Sequence, residues 1–251
     1  MERHMRIGLG TKALLAVTAM IVLMLCSTAY AIDVKVFAFN GGTLKTQTQF
    51  MIKDTRVGTP FNIPVPFYLI KHGEDWVAYD TGLNVLCVKD PIAYLGERAR
   101  LFYPVMKSED EFRVQIRKLG LKPENIKAVI ISHGHWDHAG SLGSFANTGV
   151  PVYFQEREML DIRKVVDAKK AFQSYSLTDF ASLDKLNIKL VNGVFDLFGD
   201  GTVVAFPTPG HTYGLQSLMV RRTGGKPLDS YERCLIHHGE PGKKSSGRVG
   251  S

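Results

Sequence analysis

The chain has 251 residues, 45% of them hydrophobic and 22% charged, and a formal net charge of +7. This is ordinary globular composition, long enough for one large domain or two small ones with a real buried core. The basic excess is mild, lies partly at Lys243, Lys244 and Arg248, and forms no stripe interleaved with aromatics, so nucleic-acid binding is not expected.

The first 31 residues stand apart. Arg3, Arg6 and Lys12 precede the apolar run Ala13 to Leu25, and Ala29-Tyr30-Ala31 follows. A basic start, a short apolar centre and an Ala-x-Ala end read as a secretory signal peptide, cleaved after Ala31. The alternative is an uncleaved anchor, since the apolar run is near the lower length limit for a membrane span. Cleavage would leave an exported protein, periplasmic or secreted, without stable membrane contact. Its net charge would be +5, because the leader carries three basic residues and one acidic residue. Cys87 and Cys234 would remain; an exported compartment permits a disulfide, but two isolated cysteines are more often unpaired and show no zinc-knuckle spacing.

Short β-type runs follow. Val34 to Phe39 ends at Asn40-Gly41-Gly42, a turn signal. Phe67 to Lys71 and Trp76 to Tyr79 flank a hairpin loop at His72-Gly73-Glu74-Asp75. A helix is expected from Ser108, where Ser108-Glu109-Asp110-Glu111 matches a capping box, with Phe112, Ile116 and Leu119 on one face and Gly120 as the stop. Ala128 to Ser132 and Pro151 to Gln155 are strands. A second helix is expected from Glu156 to about Ala168, with Met159, Ile162 and Val166 as its apolar stripe. Asn187 to Val191, Thr202 to Phe206 and Ser217 to Arg221 complete the strands. Grouped strands with helices between some of them indicate a layered α/β sandwich, with a domain over 32–239. The polar, Gly/Ser-rich 240–251 is expected to be a disordered tail.

The segment ISHGHWDHAG, Ile131 to Gly140, places three of the eight histidines and one aspartate within six positions, after the apolar strand. Such polar groups at the end of a buried strand are costly unless something holds them. If the chain is still extended there, His133 and His135 point to the same side. With Asp137 and His138 they offer the nitrogen and oxygen donors that Zn²⁺ takes. Farther on, His211 follows the strand Thr202 to Phe206 and the turn Thr208-Pro209-Gly210, and is a candidate third nitrogen ligand.

ISHGHWDHAG with TPGHT, and VAYDTG from Val77 to Gly82, resemble the metallo-β-lactamase superfamily from about Val34 to Arg222. The stretches FNIPVPFYLIKHGEDWVAYDTG and TPGHTYGLQSLMV are similar to its N-acyl homoserine lactone lactonases, the quorum-quenching branch. The resemblance implies an αβ/βα four-layer sandwich and two Zn²⁺ per chain: His133, His135 and His211 on one, Asp137 and His138 on the other. Asp80 would orient a ligand histidine. It implies a metal-held hydroxide that opens the lactone ring of a small-molecule substrate, with Asp137 passing the proton and Tyr231 stabilising the oxyanion. Phe67 and Phe102 could line an acyl groove, though ordinary core or surface packing is the better reading. A bridging Asp is also implied, for which Asp229 is the candidate. His237 and His238 come too soon for the final His and read as a solvated pair. The ending departs from the family pattern, as though the C-terminal part were truncated. The rival readings are therefore a thioester, β-lactam or phosphoester hydrolase of the same superfamily, and a truncated, inactive remnant.

Overall fold

The computed structural model describes residues 32–52, 54–171, 174–223 and 231–236, the last segment and 222–223 as backbone. The proposed leader, Asp229, His237, His238 and the tail lie outside them. Among the described residues, β1 (Val34–Gln47), β2 (Pro60–His72), β3 (Asp75–Tyr79), β4 (Tyr103–Val105), β5 (Ile126–Ile130), β6 (Pro151–Gln155) and β7 (Asn187–Val191) form one sheet, in the order β4-β1-β2-β3-β5-β6-β7. A second sheet runs β11-β10-β9-β8, from β8 (Phe195–Asp196), β9 (Val203–Pro207), β10 (Gln216–Thr223) and β11 (Tyr231–Ile236). The large sheet is mixed: β1, β2 and β3 are antiparallel neighbours, whereas β3, β5, β6 and β7 run parallel.

Alternating burial explains the layering. Ile70, Val77, Tyr79, Ala128 and Ile130 face Val203, Ala205, Leu218 and Val220 of the second sheet. Phe67, Leu69, Ala78, Val129, Val152 and Phe154 point the other way and meet the helices. Those helices are short at first: α1 (Leu86–Lys89), α2 (Pro91–Leu95), α3 (Arg98–Leu101) and α4 (Phe112–Arg117); α5 (Glu156–Ala168) is the long one. Phe112 and Ile116 of α4, and Met159, Ile162 and Val165 of α5, complete the outer core.

Three sequence expectations shift. Asn40-Gly41-Gly42 is a bulge rather than a turn: β1 continues past it to Gln47, with its register against β2 displaced between Asn40 and Thr43. An extra residue bends a strand without ending it. Ser108 does not cap the first helix. Ser108–Asp110 is a 3₁₀ turn, and the Glu111 side chain accepts from the Val114 N–H to cap α4. Leu119 lies beyond α4 and is exposed. Phe67, by contrast, is fully buried under Phe39 and Phe112, in line with the packing reading favoured for it.

Two contacts carry the core to the site. The Gly140 N–H donates to the Gly82 carbonyl at 3.0 Å. A Cβ on Gly140 would sit 2.4 Å from the Asn84 nitrogen and 2.6 Å from the Gly82 oxygen, both backbone atoms with no room to move. Nearby, buried Asp179 accepts from the Tyr94 hydroxyl at 2.5 and 2.6 Å and from the Asn84 side chain at 3.0 Å. This pins α2 and the turn after β3 to the loop that carries Asp179. Burial pushes the Asp179 carboxyl up to about 8, against the two hydrogen bonds that favour its ionised form.

Gly140→Ala is expected to cost about 1–3 kcal/mol by overpacking, a fall of roughly 2–4 °C in Tm per kcal/mol. Gly143→Ala, where a Cβ meets nothing within 4 Å, should melt with the parent or above it; equal melting of the two variants would refute the close-approach argument. Asp179 gives a pH prediction. The folded protein keeps a proton there up to about 8 that the unfolded chain releases near its ordinary value of 3.8. Stability therefore falls as pH rises through that window. Asp179→Asn should remove the loss, so its Tm advantage over the parent should grow between these pH values in calorimetry, and a constant difference would count against it.

Candidate metal centre

The chain leaves β5 at Ile130, and the donors follow in an irregular segment that becomes a turn at 136–138. The Ile131 N–H still bonds the Tyr153 carbonyl, and the Ser132 carbonyl accepts from the Gln216 N–H. The loop is thus hung between β6 and the start of β10. The His138 and Ala139 N–H groups both bond the His135 carbonyl at 2.9 Å, which curls Asp137 and His138 back beside His133 and His135.

Asp80 organises this loop from below. It follows β3 in a left-handed conformation, φ 61°, which is uncommon for a residue with a side chain. Its fully buried carboxylate accepts from the Ser132 N–H at 2.7 Å and the Ser132 hydroxyl at 2.8 Å, and lies 2.9 Å from His138 Nδ1. Ser132 Oγ in turn lies 3.0 Å from His133 Nδ1. One carboxylate thereby orients two imidazoles, each through Nδ1, and leaves each Nε2 turned towards the site. The Thr81 N–H and hydroxyl add bonds to the His138 carbonyl at 2.8 and 3.0 Å.

His211 arrives from the turn after β9. Its ring lies 4.9 Å from His133 and 4.7 Å from His135, and its Nε2 is 3.0 Å from His135 Nδ1. Donor atoms of His133, His135 and His211 all lie within 4.8 Å of one another. Three imidazole nitrogens so placed match the donor set of a zinc site with one open position. Burial holds the His135 imidazole down at about 3, which keeps it neutral and able to ligate. Asp137 and His138 form a second donor pair, with His138 Nε2 3.4 Å from an Asp137 oxygen. Burial opposes charge on both, but their mutual attraction wins: Asp137 is held well below the usual carboxylate range, and His138 is raised to about 10 with the help of Asp80, so a metal taken up by this pair must displace the His138 proton.

These five residues floor one cavity of about 470 Å³, whose walls include Leu44, Phe61, Ile63, Val65, Phe102 and Trp136. Phe102 stands in this wall, although ordinary packing is the reading the sequence favours. Of Tyr231 only the backbone is described, and it pairs with Thr223 at the far end of β10 from Gln216; where its hydroxyl lies, and so the oxyanion role expected of it, falls outside the described side chains. Asp229 precedes β11 and lies outside the described residues.

Four further polar residues are buried beside the donors without a role read from the motifs: Ser132, Tyr175, Glu158 and Thr212. Ser132 and Thr212 stand inside the motifs, and Tyr175 carries no local signal. Glu158 does: with Ile162 and Val165 it falls on the buried face of α5, an unusual place for a carboxylate.

Residues 62–219 match the metallo-β-lactamase superfamily. An N-acyl homoserine lactonase, AttM of Rhizobium radiobacter, is 33% identical over 202 residues, spanning 78% of this chain and 74% of its own. An N-acyl homoserine lactonase of Bacillus cereus is 30% identical over 164 residues, 65% of this chain and 60% of its own. Among solved structures, an N-acyl homoserine lactone hydrolase with N-hexanoyl-L-homoserine at its catalytic metal centre superposes with a TM-score of 0.64 at 25% identity, covering 76% of this chain and 71% of that one. The layered α/β architecture, the donor cluster and these matches agree: the chain belongs to the metallo-β-lactamase superfamily, as a metal-dependent hydrolase.

Proposed function

We propose that the protein opens the lactone ring of N-acyl homoserine lactones, using zinc held by His133, His135 and His211 and a second zinc held by Asp137 and His138. The observation that carries this reading is the placement of the five donors on the floor of a cavity with largely apolar walls. A polar ring at the metals and a flexible hydrocarbon chain along Leu44, Phe61, Ile63 and Phe102 would fill such a space, each buried methylene contributing about 0.8 kcal/mol. The lactonase relatives support the choice of a lactone over other acyl or phosphoryl groups.

Zinc bound there would supply Lewis acidity and a nucleophile at neutral pH. The chain's own groups do the rest. Asp137 would accept a proton at its carboxylate from the attacking water and return it to the alkoxide oxygen of the opened ring. Asp80 and Ser132 hold His138 and His133 in one orientation, so neither ring reorganises during the reaction. The leader-like 1–31 supports action outside the cytoplasm.

Acid release on ring opening provides the test. The zinc-loaded protein should turn over N-hexanoyl homoserine lactone, lose that activity to a chelator and regain it with Zn²⁺, and prefer the lactone over nitrocefin and a glutathione thioester. Preference for either of the latter would replace the lactone reading, and full activity after metal removal would defeat the metal reading. Asp80→Asn should lower zinc affinity or kcat/KM by roughly 10–100-fold, the usual cost of losing a group that orients a ligand; parent-like values for both would show that Asp80 does not orient the ligands.

A further inference from the structure

The two ligand loops come from distant parts of the chain, and the same buried side chain touches both. Glu158, in the first turn of α5, is fully buried. Its Oε1 accepts from the Gly134 N–H at 2.7 Å, between His133 and His135, and from the Tyr175 hydroxyl at 2.8 Å. Its Oε2 accepts from the Thr212 hydroxyl at 2.7 Å, next to His211. All three partners donate, so the acceptor-only carboxylate is the matching group.

The packing around it independently brings the same segments together. A Cβ on Gly214 would lie 2.1 Å from the Glu158 backbone nitrogen, so the chain after His211 runs directly against α5. A Cβ on Gly134 would meet Tyr175 at 2.8 Å and Ile162 at 2.9 Å. The Tyr175 ring stands edge-on to His135 at 4.9 Å.

We propose that Glu158 is a positioning residue that clamps the His133–His138 loop to the His211 loop and so sets the spacing of the three-nitrogen metal site. This rests on the reading of those histidines as a metal centre. Without the carboxylate, the Gly134 N–H and the Tyr175 and Thr212 hydroxyls lose a buried acceptor, and among the described residues Thr212 has no other hydrogen bond to α5. The His211 ring then loses its fixed distance from His135, and zinc must order it on binding.

Zinc affinity of the zinc-stripped full chain, measured by competition with a chromophoric chelator, tests the clamp without reference to turnover. Glu158→Ala and Thr212→Val should each bind the tighter zinc roughly 10–100-fold more weakly. Thr212→Ser, which keeps the hydroxyl, should restore parent affinity. The double variant should be no weaker than Glu158→Ala, because both changes break one contact. If Glu158→Ala fails to fold, the Thr212 pair alone decides. Parent affinity in Thr212→Val, a Thr212→Ser protein as weak as the valine variant, or strictly additive losses would overturn the clamp. A parent protein that binds no zinc would instead overturn the metal centre beneath it.

Discussion

The site depends on how one buried carboxylate is satisfied. Asp80 is fully buried, and a buried charge is tolerated only when hydrogen bonds replace its hydration. Ser132 supplies two donors and His138 Nδ1 a third contact. Each of these partners belongs to the loop after β5, so satisfying Asp80 fixes that loop. The same bonds hold each imidazole by one nitrogen and aim the other at the cavity. The uncommon backbone of Asp80 is the conformational cost of bringing the carboxylate beneath the loop.

Around this centre, rigid and adaptable parts are divided. The donors stand at strand ends, where the parallel strands β3, β5 and β6 terminate beneath them and the packed sheets leave little freedom. The cavity wall is built differently, from the long β1–β2 hairpin and the short segment around Phe102. Phe50, at the hairpin tip, rests on Phe102 at 6.1 Å and is itself exposed. A fixed floor with a wall of separate elements suits a substrate with a constant reacting group and a variable chain.

Much of this was legible locally. The hairpin at His72 to Asp75, the strand Pro151–Gln155, the helix Glu156–Ala168 and the strand Asn187–Val191 lie where apolar periodicity and turn chemistry place them. Periodicity fails where tertiary contacts override it. At Asn40-Gly41-Gly42 the neighbouring strand continued to pair, so a turn signal became a bulge. At Ser108 a 3₁₀ turn intervened, and the next acidic residue took the cap.

The sequence by itself determined the donor types and their grouping, because closely spaced histidines and an aspartate after a strand constrain the chemistry wherever the strand lies. It also determined most strands and the long helix, through short-range periodicity. The family resemblance grouped His211 with His133 and His135 and gave Asp80 a ligand histidine, but only the tertiary structure brought His211 beside His135, 76 positions away, and showed Asp80 reaching His138 directly and His133 through Ser132. It alone made Glu158 the common partner of two loops. Those roles arise from burial and from acceptors shared across distant segments, which no local spacing encodes.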